Sequence, residues 1–208
     1  MQSLKDANQR PLLLIVVANS VTFYLAVKTD ALLGGQWLVL AKNVPEVLPV
    51  GLCLVLVEVV NAQLSSDAKA RIVFLRWQDP LPGSEAFTRH AIADPRINLT
   101  AIERNSGPLP TSPRQQNFLW YRLYRSVAYD PAVLQVHREY LFTRDYACLC
   151  LLMLIGLGTA GLFHMPSRST ALGYAGLLTI QFLLVRRAAR NHGVGLVTTV
   201  LALKGAEN

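Results

Sequence analysis

Charge is scarce in this sequence, and its distribution matters more than its amount. Charged residues occupy 16% of 208 positions, against roughly 25% in an ordinary soluble domain. Residues 146–163 and 169–185 hold no Lys, Arg, Asp or Glu, and Arg168 is the only one between the two runs. In lipid every backbone N–H and C=O must find its partner inside the segment, so such runs cross as helices. Cysteine is scarce too: Cys53, Cys148 and Cys150 all sit in apolar sequence without a CxxC pair. That excludes a disulfide scaffold and a paired-cysteine metal or redox motif, and points to reduced packing residues. HExxH, GxSxG and a glycine-rich phosphate loop are missing. No cofactor, metal or catalytic residue is therefore expected.

What is present is apolar material, 52% of the chain, interrupted by one stretch of ordinary charge density over 61–145. The net charge of +7 follows the same map: Lys5 and Arg10 precede the first apolar segment, eleven Lys/Arg fall in 61–145, and Arg186, Arg187 and Arg190 follow the last one. The turns 34–36 and 164–168 contribute only Arg168. This alternation obeys the positive-inside rule, placing both termini and the insert in the cytoplasm and the chain in a bacterial inner (plasma) membrane. The basic excess is thus read as topology, and no nucleic-acid partner is expected.

The first segment, 11–27, rises only about 26 Å, short of a roughly 30 Å hydrocarbon layer, so its helix is expected to continue past Lys28 and Asp30 toward Leu33. The second, 37–60, begins at Trp37 and contains Lys42, Glu46 and Glu58 as well as Pro45 and Pro49. Two readings fit it: an interfacial helix over 37–43 followed by a crossing from 46 to 64, or one kinked, tilted helix. Lys42 and Glu46 stand one helical turn apart and, with Glu58, are the candidates for a gating or ion path; the plainer reading sends them to headgroups and water. The third and fourth segments are joined by five residues, which requires antiparallel neighbours. Gly156, Gly158, Gly161, Gly173 and Gly176 leave room for close backbone approach within the bundle or between subunits, and Gln181 is placed to hydrogen-bond across helices.

Within the insert, DPLPG at 79–83 signals a turn, Ser84 is expected to cap a helix after it, and 106–113 reads as an irregular connection. From Arg114 a helix presents Leu119, Trp120, Leu123 and Val127 to a core. Phe118, Arg122, Arg125 and Tyr129 form a second, cationic and aromatic stripe. Those arginines either bind an anion or pair with neighbouring carboxylates. Asp130 and Pro131 open the next helix as cap and first residue, and its phase runs through Asp145 into the third crossing. His137 is read as a packed or hydrogen-bonded edge residue. Arg186, Arg187 and Arg190 suit anionic headgroups, His192 and Gly193 are expected to end the last helix, and 194–202 to lie on the membrane or on the insert.

The expected architecture is an all-α polytopic membrane protein. It has four transmembrane helices, with a mainly helical cytoplasmic insert between helices 2 and 3. The divisions are an N-terminal hairpin over 1–63, the insert over 64–145, a C-terminal hairpin over 146–186 and a juxtamembrane tail over 187–208. Function is expected to be non-enzymatic. The insert would sense an anionic small molecule or a cytoplasmic protein and couple it to a homo-oligomeric bundle in contact with membrane lipid. That is also the layout of a defence-type membrane effector or pore, as an analogy of architecture. Arg122, Arg125, Arg186, Arg187 and Arg190 are the expected ligand or headgroup contacts. The competing classes are a membrane enzyme acting on lipid or a phosphate ester, drawing on His90, His137, His192, Asp79, Asp94 and Asp130, and a small transporter using Lys42 and Glu46.

Overall fold

A computed structural model describes residues 6–35, 55 and 59–206, and every regular element in it is helical. By contact the chain divides into two compact units, Met1–Leu64 with Asp145–Val185, and Ser65–Arg144 with Arg186–Asn208.

The first unit contains α1 (Asp6–Val27), the short α2 (Thr29–Leu33) and the apolar parts of α7 (Pro131–His164) and α8 (Arg168–Ala206). Among the described residues three helices, not the expected four, are long and apolar enough to cross a membrane: Asn8–Val27, Pro131–His164 and Arg168–Ala206. Several such helices in one chain are the pattern of a multi-pass membrane protein. The expected second crossing, 37–60, falls almost wholly outside the described residues, and Lys42, Glu46, Cys53 and Glu58 with it. Its sequence is also the only one of the four broken by three charges and two prolines, so hydropathy alone was weak ground for a crossing.

Polar side chains in the apolar helices turn back on their own backbone. Asn19 Nδ2 donates to Ile15 O at 2.8 Å, Ser20 Oγ to Val16 O at 2.8 Å, Thr159 Oγ1 to Ile155 O at 2.6 Å and Thr179 Oγ1 to Ala175 O at 2.8 Å. Each removes a donor that lipid would leave unsatisfied. Meanwhile Leu14, Ile155, Phe163, Ile180 and Leu184 stay exposed, the surface a hydrocarbon solvent accepts and water does not. Helix α7 meets α8 through Gln181 Nε2, which donates to Tyr146 Oη at 2.9 Å, and α1 meets α8 through an edge-on contact of Phe23 with Tyr174, centroids 5.6 Å apart. Gly161 has Met165 and Tyr174 within 4 Å of where a Cβ would stand. Gly156, Gly173 and Gly176 have nothing there among the described residues. Cys148 and Cys150 are buried free thiols.

The second unit begins at α3 (Ser66–Phe74), where Ser65 Oγ accepts from Ala68 N–H at 3.2 Å. After a turn come a 3-10 segment (Pro82–Glu85), a π turn (Ala86–His90) and the single α-turn α4 (Ala91–Ala93), then α5 (Leu99–Ser106) and α6 (Pro113–Val127). The expected Ser84 cap is not formed: Ser84 lies buried inside the 3-10 segment. The orphan N–H groups behind it are taken by Gln116 of α6, whose Oε1 accepts from Phe87 N at 3.0 Å and Thr88 N at 3.2 Å. Asp130 does cap α7, its Oδ1 accepting from Ala132 N–H at 2.8 Å.

The core of this unit joins Phe87, Ile102, Leu119, Trp120, Leu123, Val133 and Tyr140 to Leu196, Val197, Val200 and Leu201. The last four show that α8 does not stop at His192 and Gly193 but runs on to Ala206. A glycine inside a helix costs only about 1 kcal/mol, and here it permits a contact that no other residue allows. A Cβ at Gly193 would stand 2.8 Å from Phe74 Cζ and 2.9 Å from Tyr140 Cε2.

Candidate functional site

Three open clefts mark the second unit. The largest, about 830 Å³, is lined by Arg122 on α6 and Lys204 on α8, with Asn105 and Ser126 beside them. A second, about 530 Å³, lies between the segment carrying Arg89, His90 and Asp94 and the stretch of α8 carrying Arg190 and Thr198. The third, about 710 Å³, is bordered by Arg71, Trp77 and Asp79 on one side and by Arg114, Phe118 and Tyr121 of α6 on the other.

These clefts separate the arginines that the sequence groups together. Arg122 and Arg190 line different clefts, and Arg125 and Arg187 are exposed outside all three. Among the described residues none of these four has a carboxylate within 4.0 Å. Arg186 is half-buried, and its Nε has no hydrogen-bond partner among the described residues. A buried donor left without a partner is costly.

The candidate acids and bases are mostly committed elsewhere. Asp94 accepts from Arg96 Nε at 3.0 Å and from the same guanidinium's terminal nitrogen at 2.7 Å, and this hydrogen-bonded fork holds its carboxyl at about 2. Burial pushes the imidazole of His90 below its usual range, opposed by Glu85 and reinforced by Arg89, Arg76 and Arg190. Its charged form is disfavoured there, and Arg89 and Arg190 line the same cleft. His137 shares a 3.1 Å hydrogen bond with Tyr124 Oη and meets that ring edge-on, the packed role expected of it. His192 Nδ1 lies 3.2 Å from Glu139 Oε2, the one histidine–carboxylate pair within 4.0 Å among the described residues. Asp79 lies 3.6 Å from Arg114, and Asp130 serves as a cap. No group of three metal-ligating side chains comes together among the described residues. No known protein family, curated protein or solved structure matches this chain.

The third cleft sets Trp77, on the turn at 76–83, against Phe118 of the α6 stripe. Trp77 is 82% exposed and Phe118 72%, although both are large apolar rings in the unit that has its own core. The turn that carries Trp77 is bracketed by two non-glycine residues with left-handed backbone, Leu75 at φ 52° and Asp79 at φ 45°. Such conformations cost on the order of 1 kcal/mol or more and persist where the surroundings hold them. Pro82 and Gly83 supply that hold: both are buried, and a Cβ on Gly83 would stand 2.7 Å from the Trp120 ring. The signal in the sequence was the string RWQDPLPG, legible as a turn but not as a platform.

Proposed function

We propose that this chain is a non-enzymatic receptor and effector of the bacterial inner membrane. Its unit of Ser65–Arg144 and Arg186–Asn208 faces the cytoplasm, takes up an anionic small molecule or a protein partner, and biases an oligomeric bundle of the apolar helices. The observation that carries this reading is the membership of α7 and α8: each hydrogen-bonded helix contributes residues to both units. A ligand that changes the packing of Val133 or Val197 acts on helices that also supply the apolar spans. The charge map supports the cytoplasmic side, since eleven Lys/Arg fall in 61–145 and three more lie at 186, 187 and 190. Arg186 and Arg187 are assigned to anionic headgroups, each worth roughly 1 kcal/mol at the surface.

The glycines that meet no described neighbour offer the test. Leucine at Gly156 or Gly176 meets no described atom within 4 Å of its Cβ, so the protomer should tolerate it. If these positions seat a second copy, the native chain runs in mild detergent as a discrete oligomer, while Gly156→Leu and Gly176→Leu shift it to smaller species with unchanged helicity by circular dichroism. Dye-loaded liposomes carrying the native oligomer should leak when a small-molecule extract of bacterial cytoplasm is added. A native chain that stays monomeric at every detergent ratio, or an oligomer that never responds to the extract, would overturn the receptor and effector reading.

A further inference from the structure

We propose that the cleft between the Trp77 turn and α6 is a nucleotide site, taking a nucleoside phosphate by its base and its phosphate together. The proposal rests on the receptor reading above and names the class of ligand the cytoplasmic unit receives.

The aromatic residues come first. Trp77 enters from the turn, and Phe118 and Tyr121 stand three residues apart on the same edge of α6, so two walls of one cleft carry ring surface. Tyr121 is 49% exposed, less than the other two and still far from buried. Three large rings held out of a core that already contains Trp120 and Phe87 are a standing cost in water, and one that a planar ligand removes by stacking. The left-handed residues at 75 and 79 and the buried Pro82 fix the turn, so the Trp77 platform is organised before anything binds.

Charge defines the other end. Arg71 and Arg114 line the same cleft; Arg114 is 90% exposed and its 3.6 Å approach to Asp79 engages one edge of its fork. Two guanidinium groups match a phosphate monoester or diester, since each fork presents paired N–H donors to two oxygens. Asp67 and Asp79 accept hydrogen bonds from ribose hydroxyls or a base N–H, and Asn117 both donates and accepts. A bare anion would use the arginines and gain nothing from the rings. A lipid headgroup would use the arginines and meet the repulsion of two carboxylates with no compensating base. The volume, about 710 Å³, lies inside the roughly 300–1,000 Å³ range of small-molecule pockets.

The test uses the full chain in detergent or nanodiscs, titrated by calorimetry with each ribonucleoside monophosphate, with adenosine and with inorganic phosphate. At least one monophosphate is expected to bind, and to quench tryptophan fluorescence in the native chain but not in Trp77→Leu. Arg114→Ala should weaken that monophosphate about ten- to a hundredfold, the range of one charge-assisted hydrogen bond, while leaving adenosine unchanged. Both positions are exposed, and a circular dichroism melt equal to the native one confirms that the variants fold. Binding of inorganic phosphate as tight as that of every monophosphate, or no binding of any monophosphate by a folded chain, overturns the assignment. Liposome leakage driven by the cytoplasmic extract, together with no monophosphate binding, would remove the nucleotide and leave the receptor reading standing.

Discussion

Gln116→Leu is expected to destabilise the unit of Ser65–Arg144 and Arg186–Asn208 by about 2–5 kcal/mol, the sum of two or three buried polar groups left without partners at roughly 1–3 kcal/mol each. Gln116 is 1% exposed. Its Oε1 accepts from Phe87 N and Thr88 N, and its Nε2 donates to Thr111 O at 2.8 Å and to Thr88 Oγ1 at 3.1 Å. One side chain thus satisfies the start of the π turn and pins the irregular connection that leads into α6. Leucine fits the volume and supplies neither donor nor acceptor, so the loss is polar and not steric. Gln116→Glu keeps the acceptor and gives up the donor, and should fall between the two. Urea unfolding of the full chain in detergent measures the difference, and hydrogen exchange localises it to the amides of Phe87 and Thr88. A change below about 0.5 kcal/mol would mean that water or another group replaces Gln116 at no cost.

Neighbouring glycines on α8 should respond with opposite signs. Gly193→Val places carbon atoms where Phe74 and Tyr140 already stand, and overpacking of this kind costs about 1–3 kcal/mol. Tyr140 has little freedom to give way, being 6% exposed with Arg144 over its ring at 5.8 Å. Gly195→Ala meets nothing within 4 Å and should stabilise the helix by roughly 0.5–1 kcal/mol through propensity alone. Thermal melts of the two variants separate a packing glycine from a merely permitted one. Equal shifts would contradict the close approach at 193.

The contrast also shows where sequence reasoning stops. The uncharged runs at 146–163 and 169–185 announce their helices because hydrophobicity is additive along the chain, and Asp130–Pro131 announces a helix start because the cap is local. Leu119, Trp120 and Leu123 are legible for the same reason: their periodicity is written within one element. Gly193 reads as a helix end because the ring atoms that require a glycine belong to Phe74 and Tyr140, more than 50 residues earlier in the sequence. Ser84 looks like the cap because the true partner, Gln116, lies 28–29 residues away and leaves no pattern. The arginines of the stripe on α6 looked like one site because they share a helix face, yet the folded unit sends Arg122 toward Lys204 and leaves Arg125 outside the clefts. The Trp77 cleft, built from a turn and a helix face separated by over 30 residues, was legible only as two unrelated strings. The crossing expected over 37–60 falls almost wholly outside the described residues, and its three charges and two prolines make it the least regular of the four apolar segments in sequence.

Both the receptor role and the nucleotide site require the apolar helices to lie in lipid. The direct measurement is to express the full chain in bacteria, wash the membranes in alkaline carbonate, and follow the protein before and after detergent. The chain should remain with the pelleted bilayer through the wash and come free only when detergent is added, because Leu14, Phe163, Ile180 and Leu184 then exchange one apolar solvent for another. Recovery of a folded, monodisperse monomer in the aqueous supernatant, with no detergent at any step, would contradict the account at its base.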